Sequence, residues 1–127
     1  VTFMTHKVNH FKDSTAVAFE EPKRTSFVQL TTKDGVPFGC GGCEIPPHCS
    51  NQNHVHDADE IIHVTEGELE FVFPSGTEVL GPRDVIYIPA GEWHQIFNRT
   101  DKPAYHTYVF SDPACTDLII ARYNQDK

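Results

Sequence analysis

Apolar and polar residues alternate in short runs from Thr25 onward. Nine runs have the period expected of half-buried strands, at residues 26–32, 36–45, 60–65, 68–73, 77–80, 84–89, 93–98, 104–110 and 117–123. Segments rich in Gly, Pro, Asn, Asp and Ser separate the runs, and "FPSGTE" at 73–78 is typical of a tight hairpin. No segment keeps a helical period for more than about one turn. The pattern predicts an all-β sandwich or small barrel with negligible helix.

The segment before this alternation, up to Arg24, is weakly patterned. We expect it to form a peripheral arm or an outer strand. The 127 residues are enough to bury a core without further support, so we predict one domain over residues 1–127.

The net charge restricts the partners of the protein. A formal charge of −8 opposes binding to nucleic acid or to an anionic membrane surface, and no apolar run reaches the roughly 18 residues of a membrane span. No charged-then-apolar leader begins the sequence, so we expect a cytoplasmic protein. In that compartment the cysteines Cys40, Cys43, Cys49 and Cys115 would be reduced thiols rather than two disulfides.

Two histidines and a glutamate form the first candidate site. His54 and His56 are two residues apart, so in an extended segment both side chains project from the same face. Glu60 begins the next apolar run, where a carboxylate facing inward would need a neutralising partner. A divalent cation would be such a partner. The alternative is that these residues lie on a solvent-exposed face.

A third histidine favours the metal site. In "PAGEWHQIFN" at 89–98, His94 shares one face with Ile96 and Asn98, so it would join the first cluster if both segments line one interior. Three imidazoles and one carboxylate suit iron(II), manganese(II), nickel(II), cobalt(II) or zinc(II) and leave coordination positions for a substrate.

At this point the sequence resembles the cupin family. "HVHDADEIIHVTEG" at 54–67 is similar to the first cupin motif and "PAGEWHQIFN" to the second, within motif regions at about residues 48–67 and 81–98. The resemblance implies a jelly-roll β-barrel (a double-stranded β-helix) that binds one divalent metal through His54, His56, Glu60 and His94. It also implies a homodimer, although the sequence alone would allow a monomer. The outward-facing Trp93 and Phe97 would suit a subunit interface. His48 and Arg83 replace the glycines that usually begin the two motifs.

The strand "AYHTYVF" at 104–110 offers further reactive groups. If His106 and Tyr108 face the cavity, they would form an acid/base pair near the metal and are the candidate catalytic residues. In the alternative register, Tyr105, Thr107 and Val109 face inward and His106 faces solvent.

The other histidines and cysteines are interpreted as structural. His63 has the parity of an outward-facing residue, so it is structural or part of a subunit contact, and His6 and His10 are expected on the surface. His48 either lies over the mouth of the pocket or adopts the left-handed conformation of the glycine it replaces. "CGGC" at 40–43 is better explained by packed thiols and a bulge or close backbone approach than by a zinc or redox site.

These residues favour a metal-dependent enzyme that acts on a small oxygenated substrate such as an enol, β-dicarbonyl, phenolate, hydroxy acid or sugar. Dioxygenase, lyase, isomerase and cyclase chemistry all fit, because the fold hosts many reactions. One alternative is a binding or sensing module without turnover. An outward-facing His106 would favour this alternative. Another is a storage or structural protein with a vestigial site.

Overall fold

A computed structural model of the protein describes residues 5–125. Two 3-10 turns (Phe11–Asp13 and Thr32–Asp34) and one C-terminal helix, α1 (Ala114–Gln125), accompany the strands. In chain order the strands are β1 (Thr15–Glu20), β2 (Lys23–Leu30), β3 (Gly39–Ile45), β4 (Glu60–Glu66), β5 (Leu69–Phe73), β6 (Gly76–Leu80), β7 (Val85–Ile88), β8 (Gln95–Phe97) and β9 (Ala104–Phe110).

The strands form two antiparallel sheets. The larger has the order β1-β2-β3-β9-β4-β7, and the smaller has the order β6-β5-β8. Within residues 5–125 the sheets are separate ladders rather than one closed, hydrogen-bonded barrel. This is a jelly roll, and the all-β prediction is confirmed.

The core lies between the sheets because alternate residues of each strand point inward. In β4 the inward residues Glu60, Ile62 and Val64 are buried, whereas the outward residues Ile61 and His63 are exposed. The opposite wall of the core comes largely from Leu69 and Phe71 of β5 and Ile96 of β8, all fully buried. The period of two in the sequence thus gives the inner face correctly.

The predicted strand at 117–123 is wrong, and so is the expectation of negligible helix, because this segment lies inside the 12-residue helix α1. A helix start signal precedes it: the Asp112 carboxylate accepts a hydrogen bond from the backbone N–H of Ala114 at 2.9 Å, and Pro113 lies between them. The apolar run at 118–120 has the composition of a strand, but Leu118 is exposed. No helix within the described residues is long and apolar enough to cross a membrane.

The N-terminal segment supplies an outer strand. β1 pairs with β2 at one edge of the larger sheet, with Val17 and Phe19 buried. β2 begins at Lys23, before the predicted residue 26, so that Arg24 and Ser26 also lie on the inner face.

The paired glycines of β3 allow two tyrosines to approach the backbone. A methyl group on Gly41 would collide with the carbonyl oxygen of Phe27 and lie 2.6 Å from the hydroxyl of Tyr108, and one on Gly42 would collide with the Tyr105 side chain. Of the two predicted explanations for "CGGC", close backbone approach accounts for both glycines.

Candidate metal centre

A two-residue bridge brings the two histidine motifs together. The backbone N–H of His54 donates to the carbonyl of His94, and the N–H of His94 donates to the carbonyl of His54, both at 2.9 Å. This isolated antiparallel pair fixes the segment around His54 beside the start of β8. Neither His54 nor His56 belongs to a regular strand. The bridge to His94 holds their segment in place beside β8.

Three imidazole rings converge beside this bridge. One ring nitrogen from each of His54, His56 and His94 lies within 4.8 Å of the others. Ring centroids are 4.5 Å apart for His54 and His56, 4.3 Å for His54 and His94, and 5.4 Å for His56 and His94. Such spacing allows three nitrogens to face one ion.

Hydrogen bonds to the backbone orient two of the rings. Nδ1 of His54 lies 2.6 Å from the carbonyl oxygen of Gln52, and Nδ1 of His94 lies 2.9 Å from that of Glu92. Because a carbonyl oxygen only accepts, Nδ1 carries the proton in both rings, and the Nε2 lone pair is available. Metal-binding histidines commonly have this arrangement.

The Glu60 carboxylate lies beside the rings at the start of β4. Its Oε1 is 3.5 Å from Nε2 of His94 and 3.7 Å from Nε2 of His56, and the residue is 4% exposed. Within residues 5–125, Oε1 of Glu60 and Nε2 of His94 are buried with no hydrogen-bond partner. Such atoms are costly to bury alone, and a divalent cation between them would satisfy both. The four side chains therefore fit a metal.

Burial sets the protonation of the cluster. Burial, together with the neighbouring imidazoles and the charge of Arg122, lowers the pKa of His54 to about 3 and the pKa of His56 to about 4. Burial also opposes the charge of His94, but the Glu60 carboxylate outweighs it and raises the pKa of that imidazole. Burial raises the pKa of the Glu60 carboxyl, and His94 offsets this only in part. His54 and His56 are consequently neutral at pH 7, the state in which imidazole binds metals.

The catalytic candidates lie on the inner face of β9. His106 is 4% exposed, Tyr108 is buried, and both line the same cavity as the histidine cluster. The alternative register, with Tyr105, Thr107 and Val109 inward, is wrong: Tyr105 and Thr107 are partly exposed, and Val109 is exposed. The inward positions of His106 and Tyr108 agree with the prediction. Their catalytic role stays a prediction.

Burial also controls the chemistry of these two groups. It lowers the pKa of His106 to about 4 and raises the pKa of Tyr108 far above its usual value, so both are neutral at pH 7. The Tyr108 hydroxyl is 2.8 Å from the Ser26 hydroxyl, which is itself 3.4 Å from the Gly42 carbonyl. If Ser26 donates to that carbonyl, Tyr108 donates to Ser26.

The shared cavity has a volume of about 70 Å³. It lies between the inner faces of β2, β3 and β9 and one side of α1, and Ile119 and Arg122 of the helix form part of its wall. Sequence reasoning did not identify Arg24, Ser26, Ile119 and Arg122 as lining residues. The alternation of β2 could have identified the first two, but the misassigned helix concealed the others.

The remaining predictions concern loops and thiols. His48 and Arg83 have φ values of 58° and 78°, so both adopt the left-handed conformation of the glycines they replace. His48 is exposed and its Nε2 lies 2.6 Å from the Asp101 carboxylate. His63 is exposed, as are His6 and His10. All four cysteines are free thiols.

Comparisons with known proteins place this site in a family. The cupin domain model matches residues 42–110, more than half of the chain. No curated protein matches the chain in sequence.

Solved structures are similar over much of the chain. A cupin-superfamily sugar phosphate isomerase from Silicibacter pomeroyi is 31% identical over 68% of this chain and 58% of its own, with a TM-score of 0.59. The polyketide cyclase RemF from Streptomyces resistomycificus is 29% identical over 84% of this chain and 79% of its own, with a TM-score of 0.68. Ectoine synthase from P. lautus, 20% identical over 92% of this chain and 86% of its own, has the same fold with a TM-score of 0.77. This chain thus spans 58% of the length of the isomerase. From the motif match, the fold and the histidine cluster together, the chain belongs to the cupin family.

Proposed function

We propose that the protein is a metal-dependent enzyme that acts on a small oxygenated organic molecule. The observation that carries the proposal is the meeting of three imidazoles and one carboxylate, where Oε1 of Glu60 and Nε2 of His94 find no hydrogen-bond partner among the described residues. His54, His56, Glu60 and His94 would bind iron, manganese, nickel, cobalt or zinc. When bound, such an ion acts as a Lewis acid toward a substrate oxygen or, if redox-active, supports reactions with dioxygen.

Residues of the chain itself would position and protonate the substrate. His106, with Nδ1 3.4 Å from the Thr107 carbonyl, keeps Nε2 as an acceptor for a substrate proton. An anionic substrate nearby would raise the pKa of this imidazole toward neutrality, because negative charge stabilises its protonated form. Tyr108 remains protonated, and it would donate a hydrogen bond to the substrate in the arrangement in which Ser26 donates to the Tyr108 hydroxyl. The apolar wall formed by Phe110 and Ile96 would exclude water.

Isomerisation or cyclisation is the reaction type we favour. The two solved structures above 25% identity described above are a sugar phosphate isomerase and a polyketide cyclase. Both names fit a cavity that holds a neutral histidine and a protonated tyrosine, groups that move protons. Dioxygenase and lyase chemistry remain the alternatives within the same site.

Metal analysis combined with a reaction screen tests the proposal. Protein purified without chelator or nickel resin should contain about one divalent metal per chain, because the site offers four ligand groups. Phenols, β-diketones and sugar phosphates are then screened for oxygen uptake and for proton exchange with solvent. Exchange without oxygen uptake supports an isomerase or cyclase, and oxygen uptake selects the dioxygenase.

His94→Ala separates the site from the fold. The variant should retain less than about one-tenth of the metal while keeping its β-sheet circular dichroism spectrum, since it removes a central ligand. His63→Ala, at an exposed position on the outer face of β4, is the control. Full metal retention by His94→Ala would refute the ligand set.

A binding or sensing module is the second candidate. Burial keeps both His106 and Tyr108 far from a neutral pKa, which makes them weak catalysts in the ligand-free cavity. The inward position of His106 supports the enzyme instead. Tight ligand binding with no turnover of any screened compound would select the module.

An apolar strip on the outside of the larger sheet supports a homodimer. Ile61 pairs with Tyr87 on one side and Val109 on the other, and all three are exposed. Exposed apolar patches of this kind often mark protein interfaces. Phe97, predicted at the interface, is partly buried under Arg99, whereas Trp93 is exposed. Sedimentation should give a dimer that Ile61→Lys dissociates, and a monomeric wild type would refute this assembly.

The cysteines support a reducing compartment such as the cytoplasm. Cys40 pairs with Val109 on the outer face of β3 and Cys43 pairs with His106 on the inner face, so their thiols point apart. Alkylation of protein in freshly lysed cells, followed by mass spectrometry, should find all four cysteines modified as free thiols after unfolding. Disulfide-linked peptides would contradict this location.

A further inference from the structure

The charge of the cavity is opposite to the charge of the protein. The chain carries a formal charge of −8, yet the cavity is lined by two arginines, Arg24 and Arg122, and by one carboxylate, that of Glu60. Glu60 lies within the candidate metal cluster, so the rest of the cavity wall is cationic. A cationic cavity in an acidic protein indicates selection for an anionic ligand rather than general surface composition.

Arg24 presents a buried guanidinium from the inner face of β2. The residue is 6% exposed, its Nη1 donates to the Pro22 carbonyl at 2.7 Å, and its Cζ lies 4.0 Å from the centre of the Phe19 ring. These contacts hold the planar group in one orientation. A guanidinium has five N–H donors in a fixed fork, a geometry that matches the oxygens of carboxylate and phosphate.

Arg122 approaches the same cavity from α1. Its side chain makes no hydrogen bond or ion pair with any residue of 5–125, although the residue is partly buried. It lines the same cavity as His54, His56 and Glu60 of the candidate metal cluster. An anion bound by Arg122 would therefore lie near the candidate metal position and would offset the positive charge there.

We propose that Arg24 and Arg122 bind an anionic group of the substrate, a carboxylate or a phosphate, while another substrate oxygen faces the histidine cluster. This rests on the proposed function, and it adds the substrate class. Two fixed points, one cationic pair and one metal, would set the orientation of the substrate across the cavity.

Matched pairs of small probes test the charge requirement. The dissociation constants of 3-hydroxypropanoate, its neutral amide 3-hydroxypropanamide, and 2-hydroxyethyl phosphate are measured by NMR titration of metal-loaded and metal-free protein. The anions should bind at least about tenfold more tightly than the amide in both forms, because charge-assisted bonds to arginine are involved. The ratio of the dissociation constants of 3-hydroxypropanoate and 2-hydroxyethyl phosphate then shows whether the site prefers a carboxylate or a phosphate.

Variants locate the binding groups. Arg122→Gln should weaken the binding of both anions at least about tenfold and leave that of the amide unchanged. Arg24→Lys keeps the charge but loses the planar fork, so it should also weaken the binding of both anions. Lys23→Gln, which removes an exposed cation next to Arg24 in β2, is the control. Equal affinity for anion and amide, or anion affinity unaffected in both arginine variants, would overturn the proposal.

The metal-free measurement separates this inference from the proposed function. If metal fails to bind but anions still bind through Arg122, the enzyme proposal fails and the anion site stands. If metal binds and the arginine variants bind anions as the wild type does, the anion site fails alone. Metal content is measured for every variant so that loss of metal is not mistaken for loss of the anion site.

Discussion

The contacts of a histidine decide whether it can bind a metal, as a comparison of His94 with His63 shows. Nδ1 of His94 is bonded to a backbone carbonyl, its Nε2 faces Glu60, and the residue is 1% exposed. The same residue type at His63, on the outer face of β4, is exposed. Strand parity distinguishes the two positions, because successive side chains of a strand point to opposite faces.

Burial of His106 should make the stability of the metal-free protein depend on pH. Its folded-state pKa of about 4 lies below the ordinary value of 6.5, so between these values the unfolded chain binds the extra proton. The free energy of unfolding therefore falls as the pH falls from 6.5 to 4, by about 3 kcal/mol from this residue.

Urea unfolding of wild type and His106→Gln across this pH range measures that contribution. The loss of stability should be smaller in the variant by up to that amount, whatever its stability at pH 7. His63→Gln, at an exposed position, serves as the control. Parallel curves for wild type and His106→Gln would show that His106 is protonated equally in both states.

At the scale of elements, β3 depends on the absence of side chains at two positions. Gly41 pairs with Tyr108 and Gly42 with Thr107 in β9. The obstruction at Gly41 includes backbone, the Phe27 carbonyl, whereas that at Gly42 is the side chain of the partly exposed Tyr105. A tyrosine side chain can move toward solvent, but the backbone of a paired strand cannot move cheaply.

Gly41→Ala should consequently destabilise the protein more than Gly42→Ala. We expect a loss of about 1–3 kcal/mol at Gly41, which is typical of overpacking, and less at Gly42. Gly81→Ala, where nothing lies within 4 Å of the added methyl group, is the control and should be nearly neutral. Urea unfolding measures all three, and equal losses at Gly41 and Gly81 would contradict the packing argument.

The start of α1 offers a second test of an element. Asp112→Ala removes the acceptor for the Ala114 N–H and should cost about 1 kcal/mol of stability, as loss of a helix cap usually does. Thermal unfolding measures the loss, and Asp112→Asn, which keeps an acceptor oxygen, should restore most of it. A neutral Asp112→Ala would mean that the helix begins without this cap.

On the scale of the whole molecule, the metal cluster connects distant parts of the chain. It unites the loop before β4, the first residue of β4 and the residue before β8. Because a ligand that binds only the folded state stabilises it, metal should raise the free energy of unfolding by about 4 kcal/mol at 1,000 times its Kd.

Calorimetry of metal-loaded and chelator-treated protein measures this stabilisation. The unfolding temperature should rise on adding metal to wild type and stay constant in His94→Ala. Variants at His63 should respond as wild type does. An unfolding temperature of wild-type protein that is independent of metal would contradict the cluster as a binding site.

The sequence by itself determined most of the strands and identified the candidate residues of the cluster. The period of two places Glu60 and His94 inward but left two registers open for His106 and Tyr108, and the two motifs carry the cupin resemblance. These features are local, since each depends on spacing within a few residues. The assignment of one domain and the catalytic role of His106 and Tyr108 stay predictions.

Only the tertiary structure decided how distant segments meet. The pairing of His54 with His94, the arginines of the cavity and the packing of α1 against it depend on contacts between residues far apart in sequence. The run at 118–120 is an example. Its apolar composition fits a strand or a helix, and the structure has a helix because Asp112 caps its start and Ile119 packs against the hydrophobic core. Local spacing fixes which way a side chain points, but long-range packing decides what it meets.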